Sequence, residues 1–165
     1  MAHSISGIIT SFKYTGALPH IVLVGNYYFI PLGKRREPNY KEEVISPYSE
    51  FTQEAKKQLK ELSFEGKCCY IETDYFGGIG AQMGETWQNG KRIAGPLVSL
   101  DGTNRNYPET EVIITGNAIN ENLQLLGIYQ HPGMDEFDSV RLGWYRSNSE
   151  VLKEYYAKRN NLKKH

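Results

Sequence analysis

The chain has 165 residues, of which 39% are apolar and 23% charged, and this composition excludes an intrinsically disordered protein. Nineteen Lys and Arg residues balance nineteen Asp and Glu residues, so no net charge draws the chain to nucleic acid or to an anionic membrane. No apolar stretch reaches the roughly 18 residues of a membrane span, and we expect one cytoplasmic domain over residues 1–165.

The first third of the chain predicts β-strands. Residues 4–14 and 18–32 are rich in small, β-branched and aromatic side chains, and the turn Thr15-Gly16-Ala17 between them predicts an antiparallel hairpin. Gly25 and Asn26 are either a bulge in one long strand or a tight turn between two short ones. Residues 33–46 hold seven charged side chains and predict an exposed loop.

An amphipathic helix over about residues 47–62 is the clearest predicted element. Ser46 can cap its free amides, and Pro47 fits the first helical position. Apolar residues recur on one face at spacings of three and four, namely Tyr48, Phe51, Ala55, Leu59 and Leu62. We expect this face to dock on the sheet.

The remainder of the chain alternates strands with short helices. Asn89-Gly90 predicts a hairpin turn, although a helix over residues 81–87 ended by Gly90 fits nearly as well. Further strands are predicted at residues 67–75, 96–100, 111–115 and 140–145. Loops are predicted at residues 101–106 and 130–138, and short helices near residues 118–126 and 150–158. Clustered strands without a regular β-α-β order predict an α+β fold with a mainly antiparallel sheet.

Three glycines follow the strand at residues 67–75. Gly77, Gly78 and Gly80 lie where a phosphate-binding loop would lie if a helix began after them. The spacing lacks a complete nucleotide-binding motif, and the preceding acids would repel an anion. A tight turn packed under neighbouring strands is therefore favoured over a ligand-binding loop.

Acidic residues offer a second candidate site. Glu72 and Asp74 alternate along one strand and project from the same face, where they could form an acid–base pair, with His131 as a further catalytic candidate. Carboxylates at such positions more often face solvent. The sequence does not show where a third catalytic or metal-binding group would come from.

Cys68 and Cys69 are the only cysteines and are adjacent. Neighbouring strand residues point to opposite faces, so a disulfide between them would be strained. Either thiol could form a dyad with His131, but strand cysteines are usually buried and inert. The four histidines show no zinc-ligand spacing, and we expect no metal, no cofactor and a reducing compartment.

Aromatic and acidic residues in the glycine-rich and acidic segments predict a protein-binding surface. Rigid aromatic anchors with a polar edge are typical of such surfaces, although the same side chains could close the core. The candidates are Tyr75, Phe76, Trp87, Asp135, Glu136 and Phe137.

Residues 70–78, 117–127 and 135–138 resemble segments of small bacterial proteins, some of them neighbours of toxin systems. The resemblance covers roughly residues 68–146 and implies no role for any individual residue. The missing catalytic motifs and the acidic, aromatic loops favour a non-catalytic module that binds another protein, such as an immunity-type inhibitor of a toxin enzyme. The alternative is a small hydrolase or ligand-binding enzyme with a pocket at the turn over residues 77–80.

Overall fold

The computed structural model describes residues 2–33, 43–103 and 112–163. These residues form an eight-stranded sheet with flanking helices, which confirms the α+β class. The strands are β1 (Ala2–His3), β2 (Ser6–Thr10), β3 (Ile21–Leu23), β4 (Tyr27–Pro31), β5 (Cys68–Phe76), β6 (Ile79–Gln88), β7 (Lys91–Asp101) and β8 (Ile113–Ile114). The helices are α1 (Gln53–Leu62), α2 (Ala118–Leu125), α3 (Glu136–Ser139) and α4 (Asn148–Lys163), with a 3-10 turn at Leu142–Trp144.

The strands lie in the order β3-β4-β2-β5-β6-β7-β8, and β1 pairs with the end of β5. Neighbouring strands are antiparallel except β7 and β8, so the prediction of a mainly antiparallel sheet is confirmed. Residues 34–42 and 104–111 lie outside the described part of the chain, as do most of the predicted loop at 33–46 and half of that at 101–106.

The two predicted strand segments pair antiparallel, but not as a tight hairpin across Thr15-Gly16-Ala17. Strand β2 pairs with β4, whereas β3 lies beyond β4 at the edge of the sheet. Gly25 and Asn26 have positive φ and form a turn between two short strands, so β3 folds back directly onto β4. The other edge of β4 is then available to β2, which is buried along its whole length and also pairs with β5.

Strand β5 separates two hydrophobic cores. Cys68 and Tyr70 pack on one face with Leu59 of α1, while Cys69 and Ile71 pack on the other with side chains of α2. This alternation follows from the period of two in a β-strand. Both cysteines are free and buried. Burial raises the pKa of the Cys68 thiol to about 12, and burial also raises the pKa of the Cys69 thiol well above its ordinary value.

The first helix begins later than predicted. Thr52 caps α1, because its hydroxyl accepts a hydrogen bond from the Ala55 amide at 3.1 Å. The segment before it is a closed loop in which the Ile45 amide donates to the Phe51 carbonyl at 2.8 Å. The amides of Ser49 and Glu50 donate to the Glu72 carboxylate instead of joining a helix. The predicted start at residue 47, with Ser46 as cap, is therefore wrong.

Other boundaries also differ from the prediction. Asn89-Gly90 is a hairpin turn between β6 and β7, so the alternative helix over residues 81–87 is wrong. The strand predicted at 140–145 is absent from this described segment. Asp135 accepts a hydrogen bond from the Asp138 amide and caps the short helix α3 there, and the 3-10 turn follows. The final helix α4 extends beyond the predicted 150–158 on both sides.

The glycine segment is the turn of the β5–β6 hairpin and precedes a strand, not a helix. Gly77 and Gly78 have φ of +61° and +82°, the two positive values that a type I′ turn requires. A Cβ atom on either would meet nothing within 4 Å, so the turn is open to solvent and not packed under strands. A Cβ on Gly80 would lie 1.9 Å from the Asp74 carbonyl oxygen, so that glycine permits close strand pairing.

Substitution at this turn tests its backbone assignment. Gly78→Val should lower the free energy of unfolding by about 1–2 kcal/mol, because a β-branched residue is strained at positive φ. Gly77→Asn is the matched control and should change stability by less than about 0.5 kcal/mol, because asparagine is favoured at the first position of this turn. Urea denaturation measures both, and equal losses would contradict the assignment.

Candidate functional site

Glu72 is a buried structural carboxylate. Its side chain is 2% exposed and accepts hydrogen bonds from the Ser49 amide at 2.8 Å, the Glu50 amide at 2.8 Å and the Tyr70 hydroxyl at 2.9 Å. Burial raises the pKa of Glu72, and the two amides and the tyrosine oppose this shift. Its oxygens are therefore committed to holding the loop before α1 on the sheet.

Glu85 is a second buried carboxylate, which the sequence analysis did not single out. The Tyr48 hydroxyl donates to it at 2.9 Å and the Trp87 indole at 2.5 Å, while Arg92 Nη1 lies 3.9 Å away. Glu85 alternates with Met83 and Trp87 along β6, and this pattern could have predicted a single acid on a buried strand face.

The three catalytic candidates do not converge. Glu72 faces the core beneath α1, and Asp74 is exposed further along the same strand. His131 is exposed on the α2 side of the sheet, beside Tyr27 and Val140. The sheet therefore separates His131 from Glu72, and no acid–base pair forms between them.

A groove of about 370 Å³ lies on the α2 side of the sheet, next to the β5–β6 hairpin. We call it the groove, and it combines apolar walls with polar side chains. The residues that line it are His3, Thr73, Tyr75, Gly78, Gln82, Ile119, Asn120, Asp135, Phe137 and Gly143. Of the sequence candidates, it brings together Tyr75, Gly78, Asp135 and Phe137.

Hydrogen bonds hold the polar groups of the groove in place. Gln82 links the two walls, because its Nε2 donates to the Tyr75 hydroxyl at 3.2 Å and its Oε1 accepts from the Ile119 amide at 2.9 Å. The Tyr75 hydroxyl donates to Asp101 at 2.5 Å. Asn120 donates to Asp135 at 3.2 Å and accepts from the Phe137 amide at 3.0 Å.

His3 forms part of the wall as a partly buried ring. Its Nδ1 lies 2.8 Å from the Thr73 hydroxyl, and its ring meets the Phe137 ring edge to face at 5.6 Å between centroids. Burial lowers the pKa of His3, although the Tyr145 main chain, Asp138 and Glu150 oppose the shift. The ring is therefore neutral at pH 7 and adds no positive charge to the groove.

The remaining protein-binding candidates are dispersed. Phe76 is 76% exposed at the hairpin tip, but Trp87 is buried at the far end of β5–β6 and bonded to Glu85. Glu136 is also buried and accepts a hydrogen bond from Gln124 at 2.7 Å. Only part of the predicted set can therefore contact a partner in this fold.

Sequence reasoning missed four polar residues of the groove, namely His3, Thr73, Gln82 and Asn120. Thr73 alternates with Tyr75 on β5, so the period of two could have linked these residues. His3 and Asn120 are 117 positions apart in the chain, and no local pattern connects them.

Within residues 2–33, 43–103 and 112–163, no helix combines the length and the apolar character needed to cross a bilayer. Within the same ranges no three His, Cys, Asp or Glu side chains are grouped as metal ligands.

The pH dependence of stability tests the role of Glu72. Because the folded protein has a raised pKa at Glu72, it binds the proton more tightly than the unfolded chain does. The contribution of Glu72 to the free energy of unfolding should therefore fall as pH rises from about 4.5 through the raised pKa. Tyr70→Phe removes a hydrogen bond to the charged form and should extend the fall to higher pH.

Urea denaturation of the wild type and of Tyr70→Phe between about pH 4 and 8 measures how the free energy of unfolding changes with pH. Glu72→Gln should flatten the same part of the profile, because it removes the titrating group. Identical profiles for the wild type and Glu72→Gln would contradict this assignment.

Protein-family models, curated proteins and solved structures offer no match to this chain. Its function is therefore inferred from the groove and the surface around it.

Proposed function

We propose that this chain is a non-catalytic module that binds another protein, and that the partner docks over the groove and the β5–β6 hairpin tip. The carrying observation is the exposure of large apolar side chains at the β5–β6 hairpin tip and next to Gly143 of the groove. Phe76 and Ile79 flank the hairpin turn and are 76% and 57% exposed, and Trp144 is 70% exposed. Gly78 and Gly143, which line the groove, are neighbours of these residues in the chain.

Such a surface has the composition of a protein interface. Aromatic anchors supply most of the binding free energy at interfaces, and surrounding polar groups exclude water from them. The groove adds a concave, hydrogen-bonded surface beside the hairpin tip. Phe76 follows Tyr75 on β5 and points to the other face of the sheet, so a partner that buries Phe76, Ile79 and Trp144 together must also enclose the tip.

The arrangement of the acids favours binding over catalysis. Glu72 and Glu85 are held by hydrogen bonds within the cores, and His131 lies apart from both. A general base must lie within hydrogen-bond reach of its substrate, which these buried carboxylates do not offer. We propose a toxin enzyme as the partner, inhibited by being covered, as an immunity protein would do.

Paired surface variants test the module. Phe76→Ser combined with Trp144→Ser should reduce capture of the partner at least about tenfold, because two aromatic anchors are lost. Tyr156→Ser on α4, where Tyr156 is 49% exposed, is the control and should leave capture unchanged. Tagged full-length proteins are incubated with native lysate of the source organism, and captured proteins are quantified by mass spectrometry.

Circular dichroism checks that each variant is folded. The proposal requires at least one protein whose capture falls with the double variant and not with the control. If every captured protein responds equally to both variants, the surface is not a partner-binding site.

A small-ligand binder is the second candidate, because the volume of the groove lies within the range of about 300–1,000 Å³ typical of ligand pockets. A ligand that binds only the folded protein must raise its melting temperature. On this reading, nucleotides or sugars would include a compound that stabilises the wild type and not Gln82→Leu, which loses the amide linking the groove walls. No such compound is expected if the groove serves a protein partner.

A further inference from the structure

We propose that the groove binds an arginine side chain presented by the partner protein. This inference rests on the proposed function and specifies the chemistry of the contact. It is carried by the sign of the charge in the groove, by its aromatic walls and by the fixed orientation of its carboxylate.

The net charge in and beside the groove is negative, because Asp101, Asp135 and Asp138 outnumber the Arg141 guanidinium next to Trp144. Asp135 is the charged residue among the described lining residues, since His3 is neutral. Asp101 adjoins the groove through its hydrogen bond to Tyr75, and the Asp138 carboxylate lies against Gly143. Burial raises the pKa of Asp138, and the negative charge of Asp135 adds to the effect. A cation from the partner would relieve this repulsion.

Aromatic rings make a guanidinium group a better fit than a compact ammonium group. Tyr75, Phe137 and His3 line the groove, and planar guanidinium stacks on such rings while its edge forms hydrogen bonds. One guanidinium–aromatic contact already exists next to Gly143 of the groove, where the Arg141 guanidinium lies 4.9 Å from the centre of the Trp144 ring.

Asp135 is held in place before any ligand arrives. Its Oδ1 accepts from the Asp138 amide at 2.8 Å, and its Oδ2 accepts from Asn120 at 3.2 Å. Each carboxylate oxygen has a second lone pair, so both oxygens can still accept from a guanidinium. The fixed position reduces the entropy that binding would cost.

A second cavity provides an internal comparison. It lies between β3 and α4 and is lined by His20, Tyr155, Lys158 and Arg159 among others. It also has aromatic walls, but its charged lining residues are basic. An arginine side chain should therefore enter the acidic groove and not this cavity.

The experiment uses the isotope-labelled full-length protein and N-acetyl-arginine amide as the probe. Saturable NMR shifts are expected at the amides of Gly78, Gly143 and Phe137, and none at Tyr155 or Lys158. The citrulline analogue has nearly the same shape without the charge and should produce no saturable shift. The lysine analogue should bind more weakly than the arginine compound.

Two variants locate the contact. Asp135→Asn retains a helix-capping side chain and should weaken arginine binding about tenfold. Asp74→Asn removes the same charge from the opposite face of β5 and should leave binding unchanged. Phe137→Leu retains apolar volume and should weaken binding severalfold, because the ring is lost.

Equal shifts with arginine and citrulline, equal binding of lysine, or an undiminished response in Asp135→Asn would each overturn the inference. The proposed function has a separate test, because partner capture depends on Phe76 and Trp144. If the double variant loses partner capture but the wild-type groove does not bind arginine, the proposed protein-binding function is supported and the arginine contact is rejected. If capture does not fall in the double variant and the groove does not bind arginine, both proposals are rejected.

Discussion

The burial of β5 on both faces is the constraint on which the rest of the structure depends. Its alternating side chains enter two separate cores, so Tyr70 packs beneath α1 and Ile71 packs beneath α2. A shift of one residue in its pairing would exchange these sets and place Glu72 in the wrong core. The register with β2 and β6 therefore determines both the packing of the helices and the position of the groove.

The buried carboxylates have structural roles that resemble catalytic arrangements only in sequence. Glu72 supplies acceptors for main-chain amides that no strand or helix satisfies. Glu85 supplies acceptors for Tyr48 and Trp87, whose polar atoms would otherwise be buried without partners. Removing such an acceptor leaves buried donors unsatisfied, so both acids stabilise the fold.

The groove is formed where the two layers meet. Strands β5 and β6 provide Tyr75 and Gln82. Helix α2 provides Asn120, and the segment after α2 provides Asp135 and Phe137. Hydrogen bonds between these elements fix the polar groups, while Phe76, Ile79 and Trp144 remain exposed. The proposed protein-binding role rests on this combination of a fixed groove and exposed apolar side chains.

The sequence by itself determined the α+β class, the β5 strand and the apolar stripe of α1, because these depend on local periodicity. It left Asn89-Gly90 open between a hairpin turn and the end of a helix, and only the structure decided for the turn. Only the tertiary structure decided that α1 starts after Thr52, since the amides before it are satisfied by Glu72, twenty or more positions away. The same holds for the pairing of β2 with β4 and for the groove. His3 and Asn120 line the same groove because non-local strand pairing and helix packing bring their elements together, and no pattern along the chain predicts this proximity.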